Sequence, residues 1–324
     1  MPTMLKAPSI HVLRPGALTL VQDLGRPGHG ASGVPRGGAF DPWAAREANR
    51  RVGNPDGAAL LEVTLAGPTL ELEGVGAVAL VGDPFELAVE GAAQTEHRPR
   101  VADRAATLSL QGTTRIAIGR CPAGARAWLA VAGGIDVPVV LGSRSTDLAG
   151  GFGGFAGRAL RAGDLLTCFP AKEGAVRLVQ SQPALAGRAF TPLRIVPGPD
   201  ARLLVGGVAS LELLELAVTP HSDRRGIRMT GGELTLESHA SLRSQGTLPG
   251  AVQIPPSGLP IVLGVDAPVT GGYPWVAQVI EADLGLLAHL APGAPVRFEW
   301  IEFGAAESAL VERQRQFEAG LAGA

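Results

Sequence analysis

Lysine is almost absent from this sequence, and its absence excludes several functions that depend on it. Lysine and arginine together number 28, yet only Lys6 and Lys172 are lysines, a shortage that we attribute first to the codon usage of a GC-rich genome. Neither residue lies in a Met-Lys-Met sequence or in a glycine-rich phosphate loop. The chain is therefore not expected to carry biotin itself, to form a Schiff base or to act as a P-loop ATPase.

Cysteine and long apolar runs are scarce too. Cys121 and Cys168 lie far apart and the N-terminal residues contain no apolar signal core, which predicts reduced thiols and a cytoplasmic protein. The longest apolar stretch, residues 127–142, is interrupted by Asp136 and Pro138 and is too short to cross a bilayer. The net charge of -2 gives no electrostatic reason to expect nucleic acid or an anionic membrane as a partner.

The common catalytic and metal-binding motifs are also missing. There is no Gly-x-Ser-x-Gly sequence, and the neighbouring His221, Ser222 and Asp223 are too close in the chain to form a proton relay. The six histidines lack metal-ligand spacing and no Cys-x-x-Cys is present, so we predict no bound metal. The sequence therefore assigns no catalytic residue.

Glycine and proline are abundant, with 45 and 26 residues and no repeat period, which predicts many short elements joined by tight turns. Residues 69–73, 85–89 and 115–118 alternate between apolar and polar side chains, as antiparallel strands with one buried face do. Residues 111–112 predict a hairpin turn. The expected fold is mainly β, closed or nearly closed.

Few helices are expected. Asp41 is the predicted N-cap of a helix over residues 42–52, with Pro42 at its first position and Gly53 just past its end. Two further helices are predicted over about 282–290 and over the tail 305–321.

The length and the apolar content of 46% suffice for two hydrophobic cores. Residues 181–200 have the composition of a linker between two domains. We therefore predict an N-terminal β domain over residues 1–185 and a C-terminal β domain with a terminal helix over residues 186–324.

Four clusters of polar residues stand out against the apolar background. The first begins near the N-terminus, the second lies in a glycine-rich stretch, and the other two lie in the C-terminal half. They contain Gln22, Asp23, Arg26, Asp41, Asn49, Asn54 and Glu62; Asp136, Ser143, Arg144, Ser145 and Asp147; Ser222, Asp223, Arg224 and Arg228; and Gln253, Asp266, Thr270, Gly271, Gly272 and Tyr273.

Most residues of these clusters lie in six motifs that occur in a known order: QDLGRPG, GAFDPWAAREANRRVGN, AGGIDVPVVLGSRSTDL, SDRRGIRM, PGAVQIPPSGLPIVL and TGGYPWVA. Together they resemble the carboxyltransferase-type subunit of the allophanate hydrolase subunit 2 family. The resemblance runs from about residue 12 to residue 300, with departures at His221 and Arg225.

The resemblance implies two cyclophilin-like antiparallel β-barrel domains. The family includes the C subunit of bacterial ATP-dependent 5-oxoprolinase, which implies cleavage of 5-oxo-L-proline to L-glutamate together with a smaller B subunit and an A subunit. ATP is then expected to bind a partner subunit. The family also includes half of the carboxyltransferase domain of urea carboxylase, which leaves a biotin-dependent alternative, and a regulatory antagonist of a kinase inhibitor.

The chemistry of a lactam suggests which residues could bind the substrate. Activation of the lactam oxygen by phosphorylation requires a cationic, hydrogen-bonding pocket, and a substrate carboxylate is matched by a guanidinium. Arg144 and Arg224 are candidates, and the structural alternative is that Arg144 pairs with Asp147 and Arg224 with Asp223.

Structural alternatives exist for the other candidates as well, because Asp23 could cap a turn, Arg26 could pair locally and Tyr273 could anchor a turn. The glycines before Tyr273 free backbone amides that could bind an anion. The predicted substrate-binding residues are Gln22, Asp23, Arg26, Asn49, Glu62, Arg144, Asp223, Arg224, Gln253, Thr270, Gly271, Gly272 and Tyr273.

Overall fold

The structure, a computed structural model, describes residues 7–91, 100–101, 104–172, 191–237 and 242–322. The chain divides into two compact units. The first comprises Met1–Arg26, Gly37–Ala186 and Gly320–Ala324, and the second comprises Pro27–Arg36 and Gly187–Ala319. Of the predicted linker between the domains, residues 181–190 lie outside the described ranges, and Thr191–Pro197 form the first strand of the second unit.

The first unit contains one α-helix and the first twelve described strands. They are β1 (Ser9–Arg14), β2 (Leu18–Gln22), α1 (Pro42–Arg51), β3 (Leu60–Thr64), β4 (Thr69–Glu73), β5 (Ala77–Gly82), β6 (Glu86–Gly91), β7 (Arg100–Val101), β8 (Ala105–Ser109), β9 (Thr114–Ile118), β10 (Arg126–Val131), β11 (Ile135–Asp136) and β12 (Leu165–Cys168).

These strands form a seven-stranded sheet, in the order β11-β12-β1-β4-β9-β6-β7, and a five-stranded sheet, in the order β2-β3-β10-β5-β8. Alternate residues of each sheet meet in one core, which contains Ile10 and Leu70 from the larger sheet and Leu61 and Leu129 from the smaller one. The period-two segments in the sequence therefore predict β4, β6 and β9 correctly, because their alternation reflects one face packed on this core.

The predicted hairpin at residues 111–112 is wrong. Strand β8 pairs with β5 in the five-stranded sheet, whereas β9 pairs with β4 and β6 in the seven-stranded sheet. Gly112 has a φ of 65° in the turn between them. Both strands pack apolar residues against the same core, but they do so from different sheets, and local alternation does not specify the partner strand.

The prediction for α1 is confirmed to within one residue. The Asp41 carboxylate accepts hydrogen bonds from Trp43 N at 2.9 Å and Ala44 N at 3.3 Å, as an N-cap does. The residues expected to face the core, Ala44, Ala48 and Val52, are fully buried. Asp41 therefore has a structural role at the start of this helix.

The second unit contains the remaining described elements. They are β13 (Thr191–Pro197), α2 (Ala209–Glu212), β14 (Leu216–Val218), β15 (Gly226–Thr230), β16 (Gln245–Gly246), β17 (Ala251–Gln253), β18 (Ile261–Leu263), β19 (Thr270–Gly271), β20 (Trp275–Val279), β21 (Pro295–Trp300) and α3 (Phe303–Ala322), together with 3-10 helices at Gly30–Ser32, Ala201–Leu203 and Glu281–His289.

Seven of these strands close into a barrel in the order β13-β20-β17-β18-β15-β14-β21. The predicted mainly β, closed architecture is confirmed, with one parallel pair, β13 and β21, among otherwise antiparallel neighbours. The predicted tail helix is α3. Not one of the described helices combines the length and the apolar content that a membrane span requires.

The helix predicted over residues 282–290 is instead a 3-10 helix. Its backbone bonds join residues three apart, as between Asp283 N and Ile280 O at 2.9 Å. The Asp283 carboxylate accepts hydrogen bonds from the backbone and the guanidinium of Arg194, which raises the pKa of that guanidinium. This contact with β13 holds the first turn in place, and the sequence pattern did not reveal it.

Candidate functional site

In the first unit, the polar residues of QDLGRPG join two loops. The Asp23 carboxylate accepts hydrogen bonds from Ser143 Oγ at 2.6 Å, Ser145 Oγ at 2.5 Å and Arg144 N at 2.5 Å, and it also accepts one from Gly25 N at 2.8 Å. A buried carboxylate with this many donors is satisfied by the fold itself. The geometry thus supports the structural alternative for Asp23.

Arg26 and Gln22 also contact residues 143–152. The Arg26 guanidinium donates to Ser145 O and lies 4.9 Å from the centre of the Phe152 ring. Gln22 is fully buried and its Nε2 donates to Thr146 O at 3.3 Å, while its Oε1 has no hydrogen-bond partner among the described residues. The two residues therefore bind the second polar cluster, as parts of one loop-to-loop contact.

Asn49 and Glu62 are buried in the same unit and hold neighbouring backbone. Asn49 Nδ2 donates to Ala58 O at 2.8 Å and to Asp56 O at 3.2 Å. The Glu62 carboxylate accepts hydrogen bonds from Phe40 N at 2.8 Å and from Trp128 Nε1 at 3.0 Å. Both side chains support the segment around α1.

Arg144 does not form the predicted ion pair with Asp147. Its Nε donates to Val137 O at 3.0 Å, and its guanidinium lies 5.3 Å from the centre of the Phe169 ring. The Asp147 carboxylate accepts a hydrogen bond from Gly150 N at 2.8 Å, which closes a turn. A substrate-binding role for Arg144 stays a prediction.

In the second unit, a cavity of about 360 Å³ lies on the outer face of the barrel and brings together most of the third and fourth clusters. It is formed by strands β15, β17 and β18, by the loop before β15 and by residues 268–273. Its lining residues are His221, Asp223, Arg225, Gly226, Arg228, Thr247, Gln253, Ile261, Leu263, Pro268, Thr270, Gly271, Gly272 and Tyr273.

Strand register explains why these side chains share one face. Ile261 is the cross-strand partner of both Gln253 and Arg228, so the three residues form one row across β17, β18 and β15. The neighbouring row, Val252, Val262 and Ile227, is buried inside the barrel. Because successive side chains of a strand point to opposite faces, Gln253, Ile261 and Arg228 face outwards into the cavity.

Gln253 is the most informative residue of the cavity. It is 5% exposed, and its Nε2 is buried without a hydrogen-bond partner among the described residues. A Cβ added to Gly271 would lie 3.0 Å from this Nε2, so the β19 backbone passes close over the amide. A buried amide without a partner is costly, and such groups are common where a ligand completes the hydrogen bonding.

The charged side chains of the cavity are mostly cationic. Arg225, Arg228 and His221 line it and are exposed, whereas the Asp223 carboxylate accepts hydrogen bonds from Arg225 N at 2.8 Å and Gly226 N at 3.2 Å. Two guanidinium groups and one carboxylate leave a net positive charge among the lining residues. An anionic ligand is favoured here.

Arg224, the predicted carboxylate ligand, does not line this cavity and pairs with Asp266 rather than with Asp223. The ion pair has two hydrogen bonds, and both side chains are buried. Asp266 N also donates to Arg224 O at 3.1 Å. Arg224 therefore anchors the loop whose following residues, 268–273, form one wall of the cavity.

Several lining residues were not predicted as substrate-binding, namely His221, Arg225, Arg228 and Thr247. Apolar and polar residues alternate over 226–230, and this pattern indicates that Arg228 lies on the exposed face of the strand. Ile227 and Met229 are buried in the structure and Arg228 is exposed. His221 and Arg225 were marked only as departures from the family pattern. No motif or pattern in the sequence indicated that Thr247 would line a site.

Neither cysteine is suited to nucleophilic catalysis. Burial, with a smaller contribution from Asp83, raises the pKa of the Cys121 thiol to about 12. Burial, assisted by Asp136, raises the pKa of the Cys168 thiol to about 12 as well. Both are neutral thiols near neutral pH. Within the described ranges, no group of three or more His, Cys, Asp or Glu residues is arranged to hold a metal ion.

Comparison with known proteins assigns this chain to a family. The family described as "Carboxyltransferase domain, subdomain A and B" matches residues 32–300. The chain is 38% identical to the C subunit of 5-oxoprolinase from Escherichia coli (strain K12), over 95% of this chain and 96% of that relative. It is 32% identical to the C subunit of 5-oxoprolinase from Haemophilus influenzae, over 95% of each chain.

A solved structure supports the assignment. The crystal structure of the K. lactis urea amidolyase superposes with a TM-score of 0.88 at 27% identity, over 98% of this chain. This chain covers only 20% of that longer chain, so the likeness concerns one part of it. The chain thus belongs to the carboxyltransferase domain family, subdomain A and B, of the allophanate hydrolase subunit 2 type.

Proposed function

We propose that this chain is a subunit of an ATP-dependent 5-oxoprolinase and contributes to the cleavage of 5-oxo-L-proline to L-glutamate. The observation that carries the proposal is the end-to-end similarity to relatives that are C subunits of 5-oxoprolinase, which spans 95% of this chain and 96% of the E. coli relative. The two sequences therefore align over nearly their whole lengths. The match to the urea amidolyase covers only 20% of that longer chain.

The cavity on the second barrel suits such a substrate. Its volume, about 360 Å³, is near the lower end for small-molecule sites, so it fits a ligand of few atoms. Arg228 and Arg225 provide cationic groups for a carboxylate, and the Gln253 amide provides hydrogen bonds for a neutral polar group. 5-Oxo-L-proline has one group of each kind.

The proposal assigns the ATP-dependent step to partner chains. No lysine of a phosphate loop exists here, so ATP is expected to bind a partner, and the assembly is expected to include a smaller B subunit and an A subunit. In this chain, the described residues would bind and orient the lactam. Phosphorylation of the lactam oxygen would make its carbonyl carbon a better electrophile.

Reconstitution tests the proposal directly. The three subunits are purified separately, and ATP hydrolysis that depends on 5-oxo-L-proline is measured with each subunit omitted in turn. Loss of turnover on omitting this chain is expected. Full turnover without it would refute the proposed function.

A second candidate function is a carboxyltransferase acting with a biotin carrier on urea or a similar amide. The observation in its favour is the close superposition on the urea amidolyase, with a TM-score of 0.88. Biotin would then belong to a partner chain, since this chain has no Met-Lys-Met sequence. Inhibition of the assembled activity by avidin would favour this function over the 5-oxoprolinase.

A further inference from the structure

A ring lactam presents a distinctive hydrogen-bonding edge. Its amide is held cis by the ring, so the N–H donor and the C=O acceptor point in the same direction. A primary carboxamide has the complementary pair, an NH₂ donor beside a C=O acceptor, and can form two parallel hydrogen bonds with such an edge. Glutamine is therefore well suited to distinguish a cyclic amide from an ordinary trans amide.

Gln253 meets the requirements for this contact. Its side chain lines the cavity, and its Nε2 is buried without a hydrogen-bond partner among the described residues. The last side-chain torsion angle of glutamine has a broad, roughly two-fold distribution. Rotation about that bond can therefore align the C=O and the NH₂ of the amide with a ligand. Nε2 lies beneath Gly271, where a Cβ would be 3.0 Å away, and is buried, so the amide has to turn towards the cavity to meet a ligand.

Arg228 lies on the same row, one strand beyond Ile261, so the Cα atoms of Gln253 and Arg228 are about 10 Å apart. Both side chains line the cavity, so a five-membered ring lying over Ile261 would be within reach of the amide on one side and of the guanidinium on the other. Ile261, between them, offers an apolar surface to ring methylenes. The row thus presents an amide, an apolar centre and a guanidinium in that order.

We propose that this row is a two-point site for a cyclic cis-amide that bears a carboxylate. Gln253 binds the lactam edge through two hydrogen bonds, Arg228 binds the carboxylate, and Ile261 contacts the ring. The inference rests on the proposed function for the choice of 5-oxo-L-proline as ligand. Arg224 takes no direct part, because its guanidinium is paired with Asp266.

Three ligands test the lactam contact and the carboxylate contact separately. 5-Oxo-L-proline has both groups, 2-pyrrolidinone has the lactam without the carboxylate, and tetrahydrofuran-2-carboxylate has the carboxylate without the lactam. Binding is measured by calorimetric or NMR titration, on the full chain and on the reconstituted complex. Gln253→Leu should weaken 5-oxo-L-proline and 2-pyrrolidinone about tenfold and leave tetrahydrofuran-2-carboxylate unchanged.

Arg228→Gln should produce the opposite pattern. It should weaken 5-oxo-L-proline and tetrahydrofuran-2-carboxylate about tenfold or more and leave 2-pyrrolidinone unchanged. Arg297→Gln is the matched control, because Arg297 lies on strand β21, pairs with Glu215 and is not part of the cavity lining. If Gln253→Leu fails to fold, Gln253→Met replaces it, since it removes both hydrogen-bonding groups of the amide, adds no charge and keeps the length of the side chain.

The outcomes distinguish this inference from the proposed function. Equal losses for all three ligands in either variant, or no saturable binding of 5-oxo-L-proline to chain or complex, would overturn the two-point site. Biotin has the same edge on its ureido ring, and tighter binding of biotin than of 5-oxo-L-proline would overturn the choice of 5-oxo-L-proline as the ligand. Turnover that still requires the chain, with an unchanged KM in both variants, would reject the site and retain the proposed function.

Discussion

The guanidinium of Arg224 and the carboxylate of Asp266 form two hydrogen bonds, from Nε to Oδ2 at 2.7 Å and from Nη2 to Oδ1 at 2.9 Å. The two residues are 42 positions apart in the chain and both are buried. Their contact fixes the loop after β18 against the loop before β15. The pair therefore positions the cavity wall without facing the cavity.

Removal of one partner from this pair should destabilise the fold. Arg224→Ala leaves the Asp266 carboxylate buried without its cation, and we expect a loss of about 3–5 kcal/mol in the free energy of unfolding. Urea denaturation of the purified chain measures the loss. The adjacent, exposed Arg225→Ala is the control and should change stability by less than about 0.5 kcal/mol. Normal stability of Arg224→Ala would contradict the anchoring role.

Asp23 should matter for stability in the first unit. Asp23→Ala removes the acceptor for Ser143, Ser145 and the Arg144 backbone, and we expect a loss of about 3 kcal/mol in the free energy of unfolding. Thermal and urea denaturation provide the measurement, with the exposed Asp136→Ala as control. A stable Asp23→Ala variant with a raised KM would instead point to substrate binding by Asp23.

Asp164 should contribute stability that depends on pH. The two hydrogen bonds from the Arg158 guanidinium, helped by Arg161 N, lower the pKa of the Asp164 carboxyl below its usual 3.8. A lowered folded-state pKa means that the stabilisation is complete above the unfolded-state pKa and is lost as the pH falls through the folded-state value. Asp164→Asn should therefore cost about 1 kcal/mol at pH 7.

The pH dependence of that cost is the diagnostic. The difference in unfolding free energy between the wild type and Asp164→Asn should be constant from neutral pH to about pH 5 and should shrink below about pH 4. Urea denaturation at a series of pH values measures it. A difference that grows on acidification would contradict the assigned direction of the pKa shift.

The cysteines should resist alkylation in the folded chain. With pKa values of about 12, the Cys121 and Cys168 thiols have very little thiolate at pH 8. Iodoacetamide should modify both more than about a hundredfold more slowly in the folded chain than in urea. Mass spectrometry of the digested protein gives the rate at each site. Rapid modification of folded Cys168 would show that its surroundings are more open than the structure indicates.

Gly271 should be sensitive to a single added methyl group. Gly271→Ala places a Cβ 3.0 Å from Gln253 Nε2, so the amide must shift, and binding of 5-oxo-L-proline should weaken about tenfold. Gly246→Ala, on the paired strand β16, is the matched control, because the nearest atom to its Cβ is 4.0 Å away. Equal affinities of the two variants would count against a role for Gln253 in binding.

The local sequence predicted the elements whose signals are short-range. Asp41 and Pro42 specify the start of α1, and the alternation in β4, β6 and β9 identifies strands with one buried face. The errors arose where a distant partner decides the outcome. Strands β8 and β9 belong to different sheets, and Asp283 supports a 3-10 helix through Arg194 on β13.

The same distinction applies to the site. The polar clusters identified Gln253, Thr270, Gly271, Gly272 and Tyr273, which do share a cavity with Asp223. They favoured Arg224 over Arg228, because Arg224 lies nearer to Ser222 and Asp223 in the sequence, and sequence proximity does not show which arginine faces the cavity.

The sequence by itself determined that this chain is a mainly β member of its family, because alternation, caps and ordered motifs depend on neighbouring residues. Only the tertiary structure decided which arginine faces the cavity. Strand register places Arg228 in line with Gln253, and a contact across 42 residues buries Arg224 against Asp266. Register and long-range pairing depend on the whole fold, because a shift of one residue would turn every side chain to the opposite face.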